Sequence, residues 1–401
     1  MNRKVGKYIK DSSFNIAATA IQLGILQIII FPTINRNLEQ EEFGVIITLV
    51  GMINLIGLVF GLSLNNVKLI MYKEYKDKGV SGDFLMLLIK GILYGIVTFS
   101  IILLFFSEII DLSLVFVLII IVMLNILKNY LLAYYRINLN YKNIFMQSLI
   151  YSISLCIGLL IFGVKWELII LFAEFCTVMF LILTTSISKE PLYKTNLWRT
   201  TRNNYIQLSF AIMLSSSAKY MDRLVILPFL GPINVAIYFA STVIPKMISI
   251  GVTPISTMLL SYLVRLDRKF AGRYFLIALS SSIVLSIIAY FMLIIITPFT
   301  INVLYPDLVI QTMEYYKLAI LASVLNLVFE LIRPIILRFC ATSWQIIIQS
   351  IELIIYLVAL IIFIPNYGLS GFFYAAILAI LVKLITAILL GIKVLILDDV
   401  E

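Results

Sequence analysis

Apolar stretches of about twenty residues follow one another along almost the whole chain, separated by short polar connections. That feature fixes the solvent in which the chain must fold. In hydrocarbon every backbone N–H and C=O has to be satisfied within the protein, so only helices and closed barrels can span. The apolar runs are continuous and do not alternate, which excludes a barrel. Composition agrees: 62% of residues are hydrophobic and 13% charged, whereas a soluble domain is about a quarter charged. The mean hydropathy is +1.09. The expected fold class is an all-α integral membrane protein with about twelve transmembrane helices.

The segments are expected at about Ser12–Thr33, Phe43–Ser63, Asp83–Phe106, Ser113–Tyr135, Ile144–Phe162 and Glu167–Thr185 in the first half. In the second half they are expected at about Tyr205–Leu230, Ile233–Met258, Gly272–Pro298, Met313–Leu337, Ser343–Ile364 and Leu369–Leu390. The longest hydrophilic connection, Ser188–Asn204, divides the chain near its middle and is the expected pivot. It separates an N-terminal six-helix lobe, 1–195, from a C-terminal one, 196–401.

Lysine and arginine orient the bundle. Arg3, Lys4, Lys7 and Lys10 precede the first span, and Lys73, Lys76, Lys78, Arg136 and Lys142 fall in the even-numbered connections. The same side receives Lys189, Lys194, Arg199, Arg202, Arg265, Arg268, Lys269, Arg273, Arg338 and Lys393. The opposite side holds little beyond Arg36, Lys165 and Lys317. The positive-inside bias therefore places both termini in the cytoplasm. The net charge of +9 belongs to these loops, and nucleic acid is not an expected partner. Trp166, Trp198 and Trp344 stand near predicted helix ends, as interfacial aromatics do. The first apolar segment is too long for a cleavable signal peptide and has no small-residue cleavage site after it.

The chain contains no histidine. A histidine general base, a Ser-His triad and the usual zinc and haem sites are thereby excluded. Cys156, Cys176 and Cys340 lack CxxC spacing and read as small buried apolar residues. No metal or cofactor is expected, and the chain reads as a transporter, not an enzyme.

Charge inside the bilayer is costly and faces protein or a water-filled cavity. Lys219 and Arg223, four apart, share one helical face, with Asp222 beside them and Lys246 on the next segment. Three cations with one nearby acid leave an excess suited to an anion. Glu330 and Arg333 are three apart and read equally as a structural pair or a functional one. Gln345, Gln349 and Glu352 share a face, as do Asn15, Thr19 and Gln22. The latter set reads as interhelical glue or as polar cavity lining. Glu174 is a lone acid in the sixth segment. Lys90, Lys128 and Lys383 are expected to snorkel toward the cytoplasmic interface. Pro245, Pro254 and Pro334 fall inside predicted helices and invite kinks.

A short internal repeat supports two halves. Leu38 with Phe43-Gly44 and Leu230 with Val235-Ala236 recur at identical spacing and topology, as in parallel-repeat transporters. Tyr220 through Pro232, followed by Val235-Ala236-Ile237-Tyr238, resembles the seventh-to-eighth helix signature of polysaccharide flippases. Asn15–Gly44 resembles their first helix and turn, and Ile364-Pro365-Asn366-Tyr367-Gly368-Leu369-Ser370-Gly371 resembles the connection between their last two helices. Ala236 replaces a usual glycine, and Leu304-Tyr305-Pro306-Asp307 lacks a glycine that commonly follows the tyrosine.

The resemblance implies a Wzx-like repeat-unit flippase for O-antigen, capsule or exopolysaccharide, within the multidrug/oligosaccharidyl-lipid/polysaccharide (MOP) exporter superfamily. Its implied fold is MATE/MOP-like, two six-helix lobes around an alternating-access cavity. Its implied cargo is an undecaprenyl-diphosphate-linked oligosaccharide, carried from the cytoplasmic to the outer leaflet of the bacterial inner membrane. On this reading Lys219, Arg223, Lys246 and Arg333 bind the cargo, and Asn15, Thr19, Gln22, Gln345 and Gln349 line the polar cavity. Asp222, Glu330 or Glu352 couples H+ or Na+, and a polysaccharide polymerase and chain-length regulator act beside the flippase. A MATE-like drug exporter shares the fold but prefers acidic groups for cationic cargo. Peptidoglycan-precursor flippases usually carry extra C-terminal helices. A polysaccharide polymerase or ligase usually has a long external loop, and every external connection here is short.

Overall fold

The computed structural model describes residues 13–14, 16–104, 111–187, 190–263, 271–340 and 342–397. The described residues form helices joined by turns. In chain order these are α1 (Ile16–Asn35), α2 (Gln40–Asp77), α3 (Phe84–Leu104), α4 (Leu112–Ile137), α5 (Tyr141–Phe162) and α6 (Trp166–Thr184). They continue with α7 (Trp198–Leu230), α8 (Pro232–Leu263), α9 (Ala271–Leu304) and α10 (Val309–Phe339). The last helical stretch, Thr342–Ile392, is broken at Gly368, where φ 56 and ψ −130 leave the helical region. The break separates α11 (342–367) from α12 (369–392). Among the described residues nine helices are long and apolar enough to cross a membrane, and one of these, Ile347–Leu395, contains the break. The helices α7 and α8, 33 and 32 residues long, stand where the seventh and eighth spans are expected.

The chain forms two compact units: Met1–Asn37 with Ile46–Leu224, and Leu38–Val45 with Val225–Glu401. In the first unit α4 is the hub, packed against α2, α3, α5 and α6. Its Leu118, Ile121, Val122, Ile126 and Tyr130 are fully buried. Lipid tails are as apolar as leucine, so tight packing and polar contacts hold such helices together, not apolar transfer. Gly57 and Gly61 of α2 show how. A Cβ on Gly57 would overlap Asn125 Oδ1, and one on Gly61 would lie 2.5 Å from the Ile126 carbonyl oxygen. Only glycines let these two backbones come so close. The same stretch of α2, Gly57–Leu62, is π-helical, as is Ile25–Ile30 of α1.

The mid-chain connection is fastened to this first unit. Lys68 of α2 pairs with Glu190 and lies 2.9 Å from Tyr130 Oη, while the Tyr130 hydroxyl donates to Glu190 Oε2 at 2.6 Å. Buried Asp83 accepts from the Thr195 backbone N–H at 2.8 Å, from the Thr195 hydroxyl, and from the Tyr75 hydroxyl at 2.5 Å. The expected pivot is therefore built into the wall of one unit over its described residues. The division by compactness falls at Leu224/Val225, inside α7, whereas the connection itself ends before it.

In the second unit α10 is the hub, against α8, α9, α11 and α12. Phe275, Phe329, Ile332, Ile336, Ile348 and Leu384 form its main apolar core. The short Leu38–Val45 segment belongs here: the Phe43 ring lies 5.9 Å from Phe239 and 6.0 Å from Tyr305, and Gln40 Nε2 donates to the Asp307 carbonyl at 2.8 Å. Large apolar side chains cover the outside of the helices. Leu160 is 86% and Ile310 89% exposed, the pattern of a protein solvated by lipid.

Candidate functional site

The first unit holds an open polar cavity of about 150 Å³. Five carboxamides line it: Gln22 from α1, Asn54 from α2, Asn125 and Asn129 from α4, and Gln147 from α5. Lys128 and Tyr220 complete the polar wall, and Leu58 and Leu132 supply the apolar one. Helical spacing explains the α4 contribution, since 125, 128 and 129 are neighbours on one face. Asn129 Nδ2 donates to the Asn125 carbonyl at 2.9 Å and to its Oδ1 at 3.0 Å. The side chains of Gln22 and Asn54 make no hydrogen bond among the described residues.

Behind this wall lies a buried ion pair. Lys128 Nζ donates to Glu174 Oε1 at 2.5 Å, and Asn125 Nδ2 donates to the same oxygen at 2.9 Å. The two charged side chains are 8% and 2% exposed. The ammonium also sits 4.6 Å from the Tyr151 ring centre. Glu174 Oε2, by contrast, has no hydrogen-bond partner among the described residues. The expectation that Lys128 snorkels is thus overturned: a carboxylate 46 positions along the chain holds its head group inside the helix bundle.

Of the candidate cations, Arg223 lies beside α2. Its Nη1 donates to the Ile47 carbonyl at 3.2 Å, and Gly51 leaves the room it occupies, since a Cβ there would come within 2.9 Å of the guanidinium. Asp222 is buried and accepts from the Arg223 backbone N–H at 2.9 Å. Asn15 and the side chains of Lys219 and Gln345 lie outside the described residues. Thr19 is exposed and Gln22 half-buried.

In the second unit Lys246 is exposed; its Nζ lies 3.4 Å from the Tyr238 hydroxyl and 4.8 Å from that ring's centre. Glu330 and Arg333 form the expected pair at 3.4 Å, and Ser256 donates to the Glu330 carbonyl at 2.8 Å. Gln349 is exposed. Glu352 pairs with Lys383 at 3.1 Å, and Lys383 also reaches Asn326 Oδ1 at 3.2 Å. Lys383 therefore does not snorkel either. Lys90 instead lies 5.0 Å from the Trp198 ring centre.

Gln22 stands among the polar residues expected from sequence; Asn54, Asn125, Asn129 and Gln147 do not. Only α4 carried a signal, since Asn125, Lys128 and Asn129 stand at i, i+3 and i+4 within an otherwise apolar span, whereas Asn54 and Gln147 join them only through the fold. The candidate cations divide between the units, Lys219 and Arg223 in the first, Lys246 and Arg333 in the second.

No protein-family model matches the sequence, and no curated protein is a significant sequence match. Solved structures do match. The lipid II flippase MurJ, in an inward closed conformation, superposes with a TM-score of 0.74 at 18% identity, covering 96% of this chain and 88% of that one. An inward-facing multidrug resistance MATE family transporter of the MOP superfamily gives 0.60 at 14% identity, over 96% and 94%. A eukaryotic MATE transporter gives 0.57 at 15%, over 97% and 96%. The chain, all-helical over its described residues, is accordingly a multi-pass membrane protein with the fold of the MOP-superfamily transporters.

Proposed function

We propose that this protein is a flippase that moves undecaprenyl-diphosphate-linked oligosaccharide repeat units from the cytoplasmic to the outer leaflet of the bacterial inner membrane, for surface polysaccharide such as O-antigen or capsule. The observation that carries the reading is the fold likeness to MurJ over 96% of the chain. The cations within the spans support it. A diphosphate is a dense anion, and Arg and Lys in a low-dielectric site hold it by charge-assisted hydrogen bonds.

On this reading Lys219, Arg223, Lys246 and Arg333 attract the diphosphate head group from the cytoplasmic side. The polyprenyl tail stays in lipid while the head group crosses through protein by alternating access. Asp222, Glu330 or Glu352 binds the coupling H+ or Na+. Both termini are cytoplasmic, and a polymerase with its chain-length regulator receives the unit outside.

The test is flipping of a fluorescent undecaprenyl-diphosphate-linked oligosaccharide in proteoliposomes, with Lys219→Ala, Arg223→Ala and Lys246→Ala beside wild type. Flipping by wild type and its loss in folded cation variants is expected. Activity in all three variants overturns the site, and a folded wild type that flips no lipid-linked sugar overturns the function. The likeness to MurJ favours one second reading, a peptidoglycan-precursor cargo, so lipid II is run as a parallel arm.

A further inference from the structure

We infer that the carboxamide-lined cavity of the first unit is a sugar subsite, which holds one uncharged monosaccharide ring of the cargo; the inference rests on the lipid-linked oligosaccharide reading above. Polar side chains in a membrane-spanning bundle are costly unless their hydrogen bonds are used. Here Gln22 and Asn54 use none among the described residues. Gln147, only 3% exposed, has one long contact, from the Ser148 hydroxyl at 3.5 Å to its Oε1. Its amide nitrogen makes no hydrogen bond among the described residues. Three carboxamides from three helices thus face one cavity with donors and acceptors to spare.

The choice of residue type points to the ligand. Each carboxamide offers an acceptor oxygen and a two-hydrogen donor, the complement of vicinal hydroxyls or of an acetamido group. Among the described residues the only cation in the wall, Lys128, is already paired with Glu174, so these residues offer a diphosphate little. Tyr220 and the two leucines give the apolar surface that a sugar ring's C–H faces need. The cavity's volume suits one ring. Around it, the π-helical turn Gly57–Leu62 carries Leu58 into the lining, a local irregularity of the sort that recurs at functional sites.

The test compares dissociation constants for short-chain polyprenyl diphosphates with the full-length protein in nanodiscs. One probe carries no sugar, and four carry glucose, galactose, N-acetylglucosamine or N-acetylgalactosamine. The readout is the ratio of sugar-free to sugar-bearing constants. Wild type is expected to bind at least one sugared probe about tenfold tighter, the worth of about 1.4 kcal/mol. Asn54→Leu and Gln147→Met are expected to bring that ratio to within about twofold. Gln22→Leu, at a half-buried position, serves should either of these fail to fold. A ratio near one for every sugar in wild type, or a preserved ratio in folded variants, overturns the subsite while leaving the diphosphate reading standing. Failure of wild type to bind any probe overturns the cargo class, and the subsite with it.

Discussion

Each unit buries a lysine against a glutamate from another helix, and the two pairs differ in how far water reaches the carboxylate. Lys128–Glu174 is dry: the carboxylate is 2% exposed, shares one oxygen between Lys128 and Asn125, and leaves the other without a partner. Lys383–Glu352 is wetter: the lysine is equally buried at 8%, but its carboxylate is 27% exposed and 3.1 Å away. Asn326 and the Phe329 ring, 4.1 Å from the ammonium, also hold that lysine. A pair whose carboxylate is out of reach of water is hard to separate and acts as a fixed part of the wall. A pair with one wet member can change partners. Fixity is therefore expected of the first pair and exchange of the second.

The largest expected effect breaks the dry pair. Lys128→Met leaves Glu174 buried without its counter-charge, and about 3–5 kcal/mol of stability is expected to be lost. Equilibrium unfolding in mixed micelles measures it. The double variant Lys128→Met/Glu174→Gln removes both charges and is expected to recover most of the loss. Equal losses for Lys128→Met and Lys383→Met would erase the distinction between the pairs.

Next in size is the fastening of the mid-chain connection. Asp83→Ala strips the acceptor from the Thr195 N–H and from the Thr195 and Tyr75 hydroxyls. A cost of about 2–3 kcal/mol is expected. It should be accompanied by faster proteolysis between Glu190 and Leu197, because the contacts that hold this stretch are local. Stability lost without faster cleavage would show that Asp83 supports the α2–α3 turn alone. Smaller again is Gly57→Ala, which drives a methyl into Asn125 Oδ1 and disturbs the amide that supports Glu174. About 1–3 kcal/mol is expected from such overpacking, and the same unfolding assay reads it. In the Glu174→Gln background the effect should shrink if it acts through that carboxylate.

Much of the architecture was legible in the sequence because hydrocarbon leaves so few options. Apolar length identifies the spans, and the local signal Asn366-Tyr367-Gly368 marks the break between α11 and α12. What escaped depends on residues distant in sequence. The second span reads as ending near Ser63, where polar residues begin, yet α2 continues to Asp77. Its Lys68 and Tyr75 find their partners in Glu190 and Asp83, and no window along the chain can see that. Lys128 and Lys383 read as snorkelling for the same reason: each resembles an interfacial lysine until a carboxylate from another helix is placed beside it. The Glu330–Arg333 pair was legible because three residues along a helix bring side chains together without help from tertiary structure. The carboxamide cavity escaped because its walls come from α1, α2, α4, α5 and α7, each giving one to three polar residues.

The smallest expected change in stability is the most informative about the wet pair. In Glu352→Gln, Lys383 keeps Asn326 and the Phe329 ring, and the lost carboxylate was partly solvated. A cost of about 1 kcal/mol or less is therefore expected. If the pair is where a coupling ion enters, the variant should still flip cargo down its own concentration gradient but lose acceleration by an imposed H+ or Na+ gradient. The physical reason is specific. An incoming cation competes with the ammonium for a carboxylate, and a carboxamide gives it no charge to compete for. Glu174→Gln is the control, since that carboxylate is buried and its loss is expected to change stability without changing gradient dependence. Coupling that survives Glu352→Gln and disappears in Glu174→Gln would reverse the assignment, with exchange at the dry pair and fixity at the wet one.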